Sequence, residues 1–129
     1  MKKVLSLVCL LAIAASCLFV LASCGATPNA DPKAARENLA AEGYQIVDLK
    51  ESFGSVLTGC KDTFLAIDPT NQNVNAEFYY FSNEEHAQSG LDVLKRLAEK
   101  KGINADLQIL GKIVYSGASN IIDATNSAN

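Results

Sequence analysis

The first 23 residues limit how much of this chain is available to form a globular domain. Met1, Lys2 and Lys3 precede a run of 19 uncharged residues from Val4 to Ala22. A segment this apolar either spans a bilayer or is the hydrophobic core of a signal peptide. In both cases the folded domain must come from the remaining 106 of the 129 residues, which is enough for one ordinary domain.

The apolar run ends in a specific chemical pattern. Leu21, Ala22 and Ser23 lead into Cys24, and Gly25 follows. This order of apolar, small, small and cysteine residues resembles the lipobox of bacterial lipoproteins. The resemblance implies that residues 1–23 are a signal peptide, that Leu21, Ala22 and Ser23 are recognised by its peptidase, and that Cys24 carries acyl chains that hold the protein on a membrane. The alternative is an uncleaved transmembrane helix, for which the run is about long enough.

Charge and cysteine content exclude several classes of function. The chain has 11 basic and 14 acidic residues, so loss of Lys2 and Lys3 changes the net charge from −3 to −5. Because no basic stripe is present, nucleic acid is not an expected partner, and the membrane is bound through acyl chains on Cys24 rather than through headgroup charge. Only Cys60 stays a thiol after processing, which excludes an intramolecular disulfide and favours a small buried side chain.

Local patterns predict one domain over residues 31–125, between a lipidated tether at 24–30 and a polar tail at 126–129. Asp31-Pro32 is typical of a helix start and Gly43 of a helix end. Ser82 and Glu85 have the spacing of a capping box, which predicts that a second helix begins there. The predicted elements are helices over 32–42 and 84–101, strands over 44–49, 60–67, 74–81 and 107–115, and a short helix over 119–125.

The order α-β-β-β-α-β, followed by the short helix, predicts an α+β two-layer sandwich. The helices would cover one face of a mainly antiparallel four-stranded sheet. The crossover through the long helix would make the last strand parallel to the third if both belong to that sheet. Three segments, from Asp31 to Tyr44, the aromatic strand before Ser82, and from Gly111 to Gly117, resemble small uncharacterised lipoproteins of Gram-positive type. That resemblance brings no known site with it.

Groups that could carry chemistry are few. His86, the single histidine, lies at the predicted helix start, where a solvated side chain is the simplest interpretation and a weak metal ligand the alternative. The loop 68–73 contains side-chain oxygen atoms that could coordinate calcium. The spacing of these residues is not that of an EF-hand, so an Asx turn is the preferred interpretation of the loop. Asp62 and Glu77 could approach one another across a hairpin, as the carboxylates of a glycosidase must, but this is a minor alternative because the turn does not fix the register. No glycine pattern for nucleotide phosphates is present, and no cofactor or metal is expected.

Aromatic residues in the third strand suggest a surface for a partner. Alternate side chains of a strand point to opposite faces. Tyr79 and Phe81 are therefore predicted to lie on the face of the sheet that the helices do not cover. Leu110 and Val114 of the last strand would join them in an exposed apolar patch, which usually marks a binding surface. The alternative is that the short helix over 119–125 covers this face.

These features predict a lipid-anchored extracytoplasmic protein that acts as a binding or accessory module of the cell envelope. It would lie on the outer side of the cell membrane, or in the outer membrane of a cell that has two, and bind an envelope protein or a small ligand. No enzymatic activity is expected. Two alternatives are a small hydrolase that uses carboxylates and a purely structural surface lipoprotein. The hydrolase requires a cleft with convergent acids and at least one perturbed pKa.

Overall fold

The computed structural model of the protein describes residues 26–53, 56–103 and 106–126. In chain order its elements are α1 (Pro32–Ala41), β1 (Gln45–Asp48), α2 (Lys50–Phe53), β2 (Cys60–Asp68), β3 (Asn71–Phe81), α3 (Glu84–Lys100), β4 (Gln108–Leu110), β5 (Ile113–Gly117) and α4 (Ser119–Ala124). The strands form one sheet in the order β1-β2-β3-β5-β4, and every neighbouring pair is antiparallel. The predicted α+β class is confirmed, but among the described residues the sheet has five strands rather than four, and the short α2 adds a fourth helix to the three predicted.

Helix α1 has the ends that the sequence predicts. The Asp31 carboxylate accepts a hydrogen bond from the Lys33 N–H at 3.1 Å, and Pro32 occupies the first turn, where a missing N–H costs nothing. Gly43 follows the helix with φ of +93°, a conformation that glycine adopts without the strain imposed by a Cβ. Ala35 and Leu39 are fully buried and fix the helix against the sheet.

The β2–β3 hairpin is the longest pairing in the sheet. It runs from Cys60 opposite Phe81 to Asp68 opposite Asn71. At its turn, Asp68 Oδ1 accepts hydrogen bonds from the Thr70 N–H at 2.9 Å and the Thr70 hydroxyl at 2.7 Å, and Asn71 Oδ1 accepts one from the Asn73 N–H at 3.1 Å. The predicted hairpin and its Asx-type turn are therefore confirmed.

The predicted last strand, 107–115, is wrong as a single element. Leu110 pairs with Ile113, so the chain reverses over the two residues Gly111 and Lys112. Gly111 has φ of +59°, as the first position of a type II′ hairpin turn requires. This reversal adds the fifth strand and makes β5 antiparallel to β3, so the parallel pairing expected from the crossover is wrong as well.

Helices cover both faces of the sheet, so the predicted arrangement with helices on one face is wrong. Helices α1 and α4 pack on the face that carries Phe64, Phe78 and Tyr80. Helix α3 packs on the opposite face, over Tyr79 and Phe81. The physical reason is that β3 is apolar on both faces at its end, and each apolar face must be buried against a separate layer.

The start of α3 differs from the predicted capping box. Asn83, rather than Ser82, is the N-cap residue, and its Oδ1 accepts a hydrogen bond from the His86 N–H at 2.8 Å. Asparagine and serine are equally good caps, so the pattern alone does not choose between neighbouring candidates. Ala87, Leu91 and Leu94 then form a buried stripe at helical spacing.

Residues 26–29, which composition assigns to a tether, pack against the domain and are called the N-terminal clasp below. Pro28 is buried and Ala26 packs against the α1/α4 core. The Asn29 N–H donates to Thr125 Oγ1 at 2.9 Å, and the Asn29 side-chain amide donates to the Thr125 carbonyl at 3.0 Å. The Tyr80 hydroxyl donates to the Asn29 carbonyl at 2.7 Å. The clasp thus joins the beginning of the domain to its end.

Among the described helices, none combines the length and the apolar character needed to cross a membrane.

Replacement of Gly90 by alanine tests the contact between α3 and the sheet. A Cβ on Gly90 would lie 2.2 Å from Cζ of the fully buried Phe81 ring. Alanine normally stabilises a helix relative to glycine, but here we expect G90A to lower the free energy of unfolding by about 1–3 kcal/mol because the core is overpacked. Urea denaturation measures this change. S89A, on the exposed side of the same helix turn, is the control, and a G90A variant as stable as S89A would contradict the packing described.

Candidate functional site

The structure does not form the aromatic surface that the sequence suggests. Tyr79, Phe81 and Val114 are fully buried beneath α3, and only Leu110 is exposed, at 45%. The helix predicted to cover this face in the alternative, α4, lies on the opposite side of the sheet. Leu21, Ala22, Ser23 and Cys24 lie outside the described residues, so the lipobox remains a prediction.

The other groups singled out in the sequence are not brought together. Asp62 is opposite Tyr80 and Glu77 is opposite Leu65, so the two carboxylates lie three positions apart along the hairpin and on opposite faces of the sheet. The alternative in which Asp62 and Glu77 approach one another is therefore excluded. The His86 ring packs against Gly59, since a Cβ there would meet its Cγ at 2.4 Å. Within the described ranges, no three residues among His, Cys, Asp and Glu are grouped in a way that could hold a metal ion.

Cys60 is a half-buried thiol at the start of β2. Its Sγ donates to the Asp62 carbonyl at 3.6 Å. Burial raises the pKa of this thiol to about 11. Because the thiolate is the nucleophilic form, burial lowers the reactivity of Cys60 at neutral pH.

An open depression in the described structure lies where α1 begins and is called the Arg36 groove below. It is open to solvent, has a volume of about 480 Å³ and is lined by Asp31, Pro32, Lys33, Arg36, Asp48, Lys50, Lys61 and Asp62. These residues come from four places in the chain: the start of α1, the end of β1, the start of α2 and the start of β2.

Arg36 organises the groove. Its Nε donates to Asp62 Oδ2 at 3.0 Å and its Nη2 to Asp62 Oδ1 at 2.7 Å, which is a bidentate pair. Asp48 Oδ1 lies 3.8 Å from the same Nη2. The guanidinium carbon is 4.6 Å from the centre of the Phe64 ring, so a cation–π contact supports the pair from below. The hydrogen bond with Asp62 raises the pKa of Arg36 against the opposing effect of burial, and the side chain is always charged.

The carboxylates and the lysine side chains of the groove differ in their hydrogen-bond and salt-bridge partners. All three carboxylates have partners: Asp31 accepts from the Lys33 N–H, Asp48 accepts from the Lys50 N–H, and Asp62 is held by Arg36. In the described part of the chain, the ammonium groups of Lys33, Lys50 and Lys61 make no salt bridge or hydrogen bond. The groove therefore contains four cationic side chains and three carboxylates, a net charge of +1 in an otherwise acidic domain, and its three ammonium groups are free to contact an anionic group.

The sequence contains only part of the signal for this groove. Lys33 and Arg36 are three residues apart on a helix, so their placement near one face follows from helical spacing. Lys61 lies at an irregularity in the β2–β3 pairing between Cys60 and Asp62, and a bulge of this kind redirects a side chain. Neither the irregularity nor the partner of Arg36 can be recognised before the strand register is known.

A second polar group is buried beneath α3. Glu77 is 2% exposed, and its Oε1 accepts a hydrogen bond from the Tyr79 hydroxyl at 2.8 Å. Its Oε2 and the Thr63 hydroxyl have no hydrogen-bond partner within residues 26–53, 56–103 and 106–126. Burial raises the pKa of Glu77 to about 8, because the apolar surroundings disfavour the charged form more than the Tyr79 hydrogen bond favours it.

The positions of these acids bear on the hydrolase alternative. The carboxyl group with the raised pKa, Glu77, is enclosed under α3, while the groove lies on the other side of the molecule and its best-placed acid, Asp62, is paired with Arg36. General acid catalysis needs a protonated group within reach of substrate. The described structure therefore does not place the carboxyl group with the raised pKa in the groove.

Comparison with known protein families, with characterised protein sequences and with solved structures finds no match for this chain.

Glu77 makes the stability of the fold depend on pH. Its carboxyl ionises near pH 4.5 when exposed and near pH 8 when folded, so the unfolded chain binds fewer protons than the folded one between these values. The contribution of Glu77 to the free energy of unfolding therefore falls as the pH rises from 4.5 to 8, by up to several kcal/mol. We expect E77Q to show a flatter profile and to be more stable than the native chain at pH 8.

Urea denaturation at pH 5, 6, 7 and 8 measures the difference. E85Q removes an exposed carboxyl from the first turn of α3 and controls for the change in net charge. Parallel profiles for the native chain and E77Q would show that Glu77 does not titrate from a buried position.

Proposed function

We propose that the protein is a lipid-anchored extracytoplasmic binding module of the cell envelope, and that it binds an anionic ligand in the Arg36 groove. The order Leu21-Ala22-Ser23-Cys24 after an apolar run supports the anchor. The observation that carries the binding function is the imbalance in the groove, where all three carboxylates have partners and three lysine ammonium groups do not.

A small molecule that bears carboxylate or phosphate groups suits this geometry. The groove is open and shallow, so a ligand is held mainly by charge and hydrogen bonds rather than by enclosure. Arg36 is fixed by Asp62 and Phe64, so it supplies a rigid wall, while the three lysines can move toward the bound group. Binding of this kind weakens as the salt concentration rises.

The anchor is tested by replacing the cysteine that would carry it. We expect the native chain, expressed in a bacterium and supplied with an alkyne-bearing fatty acid, to incorporate the label and to begin at Cys24. C24S should lose the label because a hydroxyl does not form the thioether. C60S changes the other cysteine of the mature chain and should be labelled like the native protein. Retention of residues 1–23 in the native chain, or equal labelling of C24S, would contradict the anchor.

The groove is tested by removing its uncommitted charges. The triple variant K33Q/K50Q/K61Q should bind citrate and inorganic phosphate about tenfold more weakly than the native chain, since three exposed charge contacts together contribute about 1.4 kcal/mol. Isothermal titration calorimetry on the detergent-solubilised protein at low salt measures the affinities.

The matched control is K95Q/K100Q/K101Q, which removes the same charge from exposed positions in and just after α3, on the other side of the sheet. It should bind both probes like the native chain. Equal losses in the two triple variants would indicate a general effect of net charge and would exclude a specific site in the groove.

A further inference from the structure

The N-terminal clasp leaves almost no free chain between the domain and its proposed anchor. Ala26 already packs against the α1/α4 core, and Pro28 is buried. Only Gly25 separates Ala26 from Cys24. Two residues of fully extended chain span at most about 7 Å, whereas a domain of this size is about 30 Å across.

Hydrogen bonds hold the clasp from three directions. Thr125, itself fully buried, binds the Asn29 main chain and side chain at 2.9 and 3.0 Å. Tyr80, in the central strand of the sheet, donates to the Asn29 carbonyl at 2.7 Å. The Asn126 side-chain amide donates to the Thr27 carbonyl at 2.8 Å. Detachment of the clasp would break these bonds together and expose Pro28, so it moves with the domain as one body.

We propose that the clasp fixes the orientation of the domain on the bilayer, with the α1/α4 layer toward the membrane and α3 facing away from it. This inference rests on the proposed acylation of Cys24. A flexible tether would let the domain rotate freely, but a connection of two residues that starts from the α1/α4 side holds that side next to the lipid.

This orientation also defines where ligands reach the protein. Asp31 and Lys33, which line the Arg36 groove, lie two and four residues after Asn29, the last residue of the clasp. The groove therefore opens close to the membrane surface, and the anionic ligands available to it are those that reach or occupy that surface. The exposed side of α3 faces the space beyond.

The test compares two labels at matched positions on opposite layers. Asp123 lies on the exposed side of α4, near the clasp, and Asp92 on the exposed side of α3. Each is replaced by cysteine, D123C or D92C, in the acylated full chain with Cys60 changed to serine, and carries a nitroxide label. The protein is placed in phosphatidylcholine vesicles that contain a lipid with a nickel-chelating headgroup, and relaxation of each nitroxide by the nickel is measured.

We expect relaxation at position 123 to exceed that at position 92 by about threefold or more, and an insertion of eight glycine and serine residues after Gly25 to remove the difference. Equal relaxation at both positions in the acylated native chain would overturn the fixed orientation alone. A difference that persists with the insertion would also overturn it, because the short connection would then not be the cause. Mass spectrometry of the N-terminal peptide separates these outcomes from absence of acylation, which would overturn the anchor and the orientation together.

Discussion

The register of the β2–β3 hairpin is the constraint on which the rest of the structure depends. Successive residues of the two strands alternate between two covered faces, so the pairing assigns each side chain to one core or the other. On one face Phe64 lies 5.1 Å from Phe78 and 6.1 Å from Tyr80, measured between ring centres, beneath α1 and α4. On the other face Tyr79 and Phe81 are buried by α3. A shift of one residue would exchange these two sets and leave neither helix layer with a matching surface.

The same register creates both polar groups of interest. It places Asp62 on the α1 side of the sheet, where Arg36 binds it through two nitrogens above the Phe64 ring. It places Glu77 on the opposite side, where burial keeps its carboxyl neutral at neutral pH. One acid is thus part of an open, charged groove and the other part of an enclosed core. Their separation explains why a single hairpin can carry a surface suited to anions and an internal group that makes stability depend on pH.

The N-terminal clasp connects the fold to its proposed cellular setting. Hydrogen bonds from Asn29 to Thr125 join residues separated by 96 positions, so the segment after Cys24 depends on completion of the domain at its other end. Because the clasp fixes where the chain leaves the domain, next to the proposed lipid anchor, it would also fix the orientation of the domain on the bilayer. The Arg36 groove begins where the clasp ends, so the anchor and the proposed binding surface are neighbours in the chain and in space.

The sequence by itself determined the local elements, and the tertiary structure decided how their faces are used. Asp31-Pro32, the turn after Asp68 and the apolar stripe of α3 were all predictable, because caps, turns and helical periodicity depend on residues a few positions apart. The continuous run from Phe78 to Phe81 is itself typical of a strand covered on both faces, but the sequence does not show which helix covers the second face. The reversal at Gly111, the layer to which α3 belongs and the pairing of Arg36 with Asp62 were not predictable in this way. They depend on which strands become neighbours and in what register. Those contacts join residues that are far apart in the chain, and the local sequence around each residue does not identify its partner.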